Sequence, residues 1–189
     1  MSEVPDFKRM KRIEGRRHGR FLNFSCFQNR AFLKSERAKA WLIASVQLAM
    51  DKHEVDLWAY VIMPTHVHLM VFPRRVETLM SRFVSTLKQS VSKRALAWVE
   101  KNTPFFLPQM ADVAPNGEIT HRFWQRGPGF DRNLWSPKAI RNGIKYIHMN
   151  PVVDKLCKHP HEWPWSSAGW YRDRTPGPLP VTIPWLEGY

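Results

Sequence analysis

Across "RFLNFSCFQ" (20–28), Phe21, Asn23, Ser25 and Phe27 alternate with Leu22, Phe24 and Cys26. Period-two alternation predicts a strand inside a sheet. Ser35 stands where a helix N-cap belongs. Ala38, Trp41, Leu42, Ser45, Leu48 and Ala49 then recur at helical spacing, which predicts an amphipathic helix over 35–52. "VDLWAYVIM" (55–63) and "HVHLMVF" (66–72) read as two more strands. Only Pro64-Thr65 separates them, so they form a hairpin. Pro73 ends the second, and Val76, Leu79, Met80, Phe83, Leu87, Val91, Ala95 and Trp98 mark the buried stripe of a long helix over about 76–100.

Residues 101–120 hold three prolines and an Asn-Gly pair, so they read as a loop insertion. "HRFWQ" and "FDRNLW" flank "RGPG" as two short strands around a turn. Ser136-Pro137 opens a last helix with the stripe Ile140, Ile144 and Ile147, and Asn150-Pro151 closes it. The order β-α-β-β-α-β predicts an α+β fold, the ferredoxin-like split βαβ with an antiparallel sheet, its two helices on one face and its first and third strands central. An extra C-terminal helix and a Pro/Trp-rich tail follow. The expected organisation is a basic arm (1–20), a domain (21–158) carrying the insertion 101–120, and a tail (159–189) that packs on the domain.

Charge changes the picture. The 189 residues are 43% hydrophobic, enough for a core, yet carry 29 Lys+Arg against 16 Asp+Glu, a net charge of +13. That excess points to a phosphate-rich partner. The two cysteines, Cys26 and Cys157, form no CxxC pair, so a thiolate zinc site is not expected. No signal-peptide core and no apolar stretch of membrane-spanning length is visible, so a soluble cytoplasmic protein is expected.

"MPTHVHLMVF" (63–72) carries the candidate chemistry. His66 and His68 stand two apart on a strand and leave the same face. Neutral imidazole is a common ligand of divalent metals, and two supply half a site. A third ligand is expected from helix 76–100, and a metal held there would polarise a phosphoryl oxygen. The alternative is one histidine acting as a structural hydrogen bonder. "HPHE" (159–162) repeats the spacing among prolines and reads as structural. Asp131 either completes the metal site or pairs with neighbours of Arg132 in a structural role; the structural reading is preferred. The nine tryptophans are read mainly as core.

"YVIMPTHVHLMV" (60–71) resembles the strand motif of the HUH endonuclease superfamily. With "FLNFSCFQNRAFL" (21–33), "FWQRGPGFDRNL" (123–134), "YIHMNPV" (146–152) and "WPWSSA" (163–168), most of the chain resembles REP-associated tyrosine transposases. The resemblance implies an HUH nuclease-like fold, single-stranded or hairpin DNA as partner, and DNA transposition as function. It implies Mg²⁺ or Mn²⁺ held by His66, His68 and a polar helix residue. A helix tyrosine would attack the scissile phosphate, leaving a 5′-phosphotyrosine bond and a free 3′-OH.

On this reading the helix 83–100 should carry the nucleophile, and it has no tyrosine. The expected position falls at Ser90, whose hydroxyl is far less acidic than a phenol of pKa about 10. The third ligand falls near Lys93 or Arg94, cations and poor ligands. Of the four tyrosines, Tyr60 and Tyr146 read as structural, and Tyr171 and Tyr189 lie in the tail, Tyr171 being a remote substitute. Lys88, Lys93, Arg94, Arg126 and Arg132 are the candidate DNA contacts. Three outcomes stay open: an active transposase, a catalytically impaired DNA-binding protein on the same fold, or a nuclease using metal-activated water. A two-histidine phosphoesterase of another family ranks last, because its second strand motif is absent. A monomer is expected.

Overall fold

The alternation read from the sequence becomes a sheet with two differently employed faces. A computed structural model describes residues 17–182 and Pro184; only the last four residues of the basic arm fall within it. Strands β1 (Gly19–Ser25), β2 (Val55–Ile62), β3 (His66–Pro73) and β6 (Phe130–Leu134) form a sheet of order β2-β3-β1-β6. Every neighbouring pair is antiparallel, and β1 and β3 are central as expected.

Helix α1 (Glu36–His53) and helix α2 (Met80–Asn102) cover one face. There Leu22, Phe24, Val67, Leu69 and Val71 meet Leu42, Val46, Phe83, Leu87 and Val91 in the main core. The alternate residues Met70 and Phe72, with Val61 and Met63, meet Ile140, Ile144 and Ile147 of helix α3 (Pro137–Val153) on the other face. The two helices of the split βαβ thus share a face, and the added helix takes the opposite one. Gly143 lets α3 lie close to the sheet: a Cβ there would stand 2.5 Å from Met70 Cε.

Three boundaries differ from the sequence reading. Helix α2 starts at Met80, because Val76 and Leu79 stay exposed and Leu79 keeps an extended backbone. Helix α3 runs through Pro151, since a proline in the last turn forfeits a single backbone donor. "HRFWQ" does not pair with β6. Its Gln125 instead donates to Ser25 O at the end of β1, and its Phe123 O accepts from Phe27 N just beyond. The segment 101–120 is also less loop-like than expected, holding the hairpin of β4 (Ala111–Val113) and β5 (Ile119–His121).

The tail closes the sheet. β2 is an edge strand, and unpaired edge groups invite pairing with other chains. Ile62 donates to Trp165 O at 2.8 Å, Ser167 donates to Tyr60 O at 3.1 Å and Thr182 donates to Leu57 O at 2.9 Å. The Trp163 indole donates to Ile62 O, and the Tyr171 hydroxyl to Trp58 O. Helix α4 (Ala168–Asp173) is the one α-helix described in this stretch. Ser167 is the buried knot: its Oγ accepts the Tyr60 N–H at 3.0 Å and sits 2.8 Å from His148 Nε2.

Ser167→Ala strands the buried Tyr60 donor, so we expect a loss of about 1–3 kcal/mol, read as a lower denaturant midpoint with unchanged slope. The buried Cys26 thiol, pushed up to about 12 by desolvation, should resist alkylation until the chain unfolds, while the half-buried Cys157 is labelled in the folded protein. Mass spectrometry of native and denatured samples checks this: one adduct, then two.

Candidate active site

Register decides what the two histidines face. On β3, His66, His68, Met70 and Phe72 point to the α3 side, and His68 stands opposite Asn23 of β1. The imidazoles are neighbours, with ring centroids 4.9 Å apart and nearly perpendicular planes. His68 is 2% exposed. Burial, with His66 beside it, pushes its pKa down to about 4 against the opposing hydrogen bond from Asn150. His68 is therefore neutral at pH 7, the form that ligates metals.

The helix facing them is α3. Ser136 caps it by accepting from Ala139 N at 3.2 Å, and Pro137 fits its first turn. Tyr146 and Asn150 lie one turn apart, on the flank of the Ile140, Ile144, Ile147 stripe. The Tyr146 ring lies 5.4 Å from that of His68, and Tyr146 is 57% exposed. Asn150 Nδ2 donates to Tyr146 O at 2.9 Å, which turns Oδ1 toward the histidines. Oδ1 reaches 3.4 Å from His66 Nε2. On the other side of that ring, Thr65 Oγ1 lies 2.9 Å from Nδ1. Holding Nδ1 orients the ring and leaves Nε2 for the Asn150 side. Two buried polar atoms on this face, His68 Nδ1 and Asn23 Oδ1, have no hydrogen-bond partner among the described residues.

His68, Asn23 and Tyr146 line a groove of about 710 Å³, and His66 and Asn150 lie beside it. Phe21, which touches both His68 and Tyr146, forms its floor. Arg132 and Lys138 line it, and no acidic residue does among the described residues.

The placement corrects several expectations. Ser90 is not in the site. It packs between α1 and α2, 2.9 Å from Ser45 Oγ, on the far face of the sheet. The whole of α2 packs on that face, opposite the one His66 and His68 point to. Lys93 and Arg94 are exposed there and do not line the groove. Lys88 is engaged by the fold, donating to Gly127 O at 2.7 Å and Gln125 O at 3.3 Å. Burial and the nearby Arg122 lower its pKa. Arg126 pairs with Asp112 at 2.7 Å. Of the five basic candidates, Arg132 alone lines this groove. Tyr171 is tied to Trp58 and packs on His148, away from His66 and His68. Asp131 faces the α2 side and binds the buried Arg20 through both carboxylate oxygens, at 2.8 and 2.7 Å. His159 and His161 stack on one another near the surface, away from the groove.

The structure sets beside the histidines two residues that the sequence reading did not place there: Tyr146, read as structural, and Asn150. Their signal was the spacing Tyr-x-x-x-Asn within "YIHMNP", which puts a phenol and an amide on one helix flank. Among the described residues no three His, Cys, Asp or Glu side chains cluster, and the polar group beside the two histidines is the Asn150 amide.

No family model and no curated protein matches the chain. Among solved structures, the REP-associated tyrosine transposase bound to a REP hairpin is similar over 99% of this chain and 96% of that chain, with TM-score 0.65 and 18% identity. A chain described as a candidate transposase from Deinococcus radiodurans R1 is 17% identical over 77% of this chain and 94% of that one, with TM-score 0.44, too low to carry argument. At 18% identity the first likeness establishes the fold: this chain has the fold of that transposase, as the motifs implied. No helix among the described residues is long and apolar enough to cross a membrane.

Asp131→Ala leaves the buried Arg20 charge without this partner. We expect a cost of about 3–5 kcal/mol, read by chemical denaturation.

Proposed function

We propose that the protein is a tyrosine transposase of the HUH type, which binds hairpin-bearing single-stranded DNA and cleaves it through Tyr146. The observation that carries this reading is the meeting of His66 Nε2, His68 and Asn150 Oδ1 one helical turn from an exposed phenol, beside a groove that His68 and Tyr146 line together with Arg132 and Lys138. The solved transposase of the same fold, bound to a REP hairpin, supports the choice of DNA.

The residues present fit a divalent metal. A neutral buried imidazole, a second imidazole oriented by Thr65 and an amide oxygen aimed at both form a mixed nitrogen and oxygen set, and His68 Nδ1 and Asn23 Oδ1 are unpartnered beside it. His66, His68 and Asn150 would hold Mg²⁺ or Mn²⁺. Bound there, the ion supplies Lewis-acid polarisation of a phosphate oxygen.

The chain's own residues do the rest. Arg132 and Lys138 attract the DNA backbone. Phe21 holds the Tyr146 ring beside His68. The Tyr146 Oη attacks phosphorus as its proton leaves to solvent. The bond to the 3′-oxygen breaks, that oxygen takes up a proton as a free 3′-OH, and the 5′-phosphate stays on Tyr146. Reversal on a second 3′-OH rejoins DNA. We propose that the protein acts as a monomer in the cytoplasm, since the histidines and the tyrosine belong to one chain.

The reading as an impaired DNA binder rested on a missing helix tyrosine. The helix over the histidines is α3, and it carries one, so that ground is gone.

The test is incubation with a labelled hairpin oligonucleotide bearing an unpaired flank, with Mn²⁺, followed by denaturing gels with and without protease. We expect a protease-sensitive DNA-linked band. Tyr146→Phe should abolish it and keep DNA binding. His66→Ala and chelation by EDTA should abolish it too, and Ser90→Ala should leave it. An adduct that survives Tyr146→Phe overturns the assignment, cleavage without an adduct points to water as nucleophile, and binding without cleavage leaves a hairpin-binding protein. Separately, Thr65→Val should weaken Mn²⁺ binding about 10–100-fold, followed by electron paramagnetic resonance of free Mn²⁺.

A further inference from the structure

Phe130 has no role in the fold's interior. It is 46% exposed, belongs to neither buried cluster, and packs edge-on against Phe21 at 6.2 Å. Yet its position is rigid. As the first residue of β6 it pairs with Asn23. The residue before it, Gly129, has φ +83° and lies so close to β1 that a Cβ would stand 2.4 Å from Asn23 O. The turn beyond is tied down by the Lys88 ammonium on Gly127 O. An exposed aromatic ring on so fixed a mount is pre-organised for a ligand.

Two cavities meet at this ring. One is the Tyr146 groove. The other, of about 400 Å³, holds Lys88, Arg126, Gln28 and Asn29, and shares only the Asn23–Phe130 wall with the first. Both are basic. Arg132 and Lys138 line one, and Lys88 with the Arg122–Arg126–Asp112 cluster, two cations on one carboxylate, keeps the other positive. A polyanion lying in both must cross Phe130.

We propose that Phe130 is a stacking platform for a base of the unpaired flank, on a strand path that runs from the Tyr146 groove over β6 into the Lys88–Arg126 groove. The inference rests on the DNA-binding reading above and adds to it the route of the strand. A duplex cannot offer a base face at this point, so the contribution is confined to unpaired DNA. Every base has a π-face, so the contact is sequence-tolerant.

The experiment compares two probes by fluorescence anisotropy in EDTA, where no cleavage occurs: a DNA hairpin with an unpaired flank and the same hairpin cut blunt. Phe130→Ala should weaken binding of the flanked probe about 10-fold, in line with one stacked base, and change the blunt probe less than about twofold. Phe130→Trp should restore binding, and Phe130→Leu, which keeps the apolar bulk and safeguards the fold, should not. Restoration by leucine, or an equal loss on both probes, overturns the platform. If the wild-type protein prefers the flanked probe and Phe130→Ala matches it, this inference falls while the function stands. If the wild-type protein binds neither probe, both fall.

Discussion

Everything at the site depends on the register of β3. Side chains alternate across a strand, so a one-residue slip would send both imidazoles into the α1–α2 core and Val67 and Leu69 into the groove. Such a slip would bury polar rings without partners and expose aliphatic surface, each costly on its own. The sequence makes the correct register decisive: Val67, Leu69 and Val71 fill the main core, and the alternate positions of β3 carry the histidines and then Met70 and Phe72 under α3. Packing and chemistry are written on the two sides of one strand.

That division explains the distribution of charge. The α1–α2 face holds β1, β3 and β6 in place with apolar packing and the buried Arg20–Asp131 pair. The α3 face is only partly covered. Its β2–β3 half is apolar and closed by α3, and its β1–β6 half is open, aromatic and basic. The Tyr146–Asn150 flank of α3 lies at the border between them, where a side chain can be anchored at its base and wet at its tip.

Much of this was legible in the sequence. Period-two alternation located β1, β2 and β3, helical spacing located α1 and α3, and the strand order placed β1 and β3 centrally. The pair His66 and His68 sharing one face follows from the same alternation. The helix opposite them was not legible. A stripe such as Ile140, Ile144 and Ile147 says that a helix packs on something, but not on which face of the sheet. Assigning the site to α2 placed the tyrosine at Ser90, although "YIHMNP" carried both missing donors. The ties that hold Lys88 and Arg126 in place were equally hidden, because their partners are turn carbonyls and an aspartate brought in by tertiary folding. The coverage of β2 by residues 163–182 was unreadable for a different reason: it uses mainly backbone groups, which every sequence possesses.

That last feature sets an order of events during synthesis. β2 is made early, and among the described residues its outer edge is closed by bonds to residues more than a hundred positions downstream, from Trp163 onward. A ribosome adding about 5–20 residues per second leaves that edge open for several seconds while the rest of the sheet is already able to form. In that interval the nascent chain presents a long apolar strand with unmet donors and acceptors, the kind of edge that pairs with a neighbour on the same message. The Trp- and Ser-rich stretch "WPWSSA" therefore ends a period of exposure that the earlier part of the chain does not close by itself.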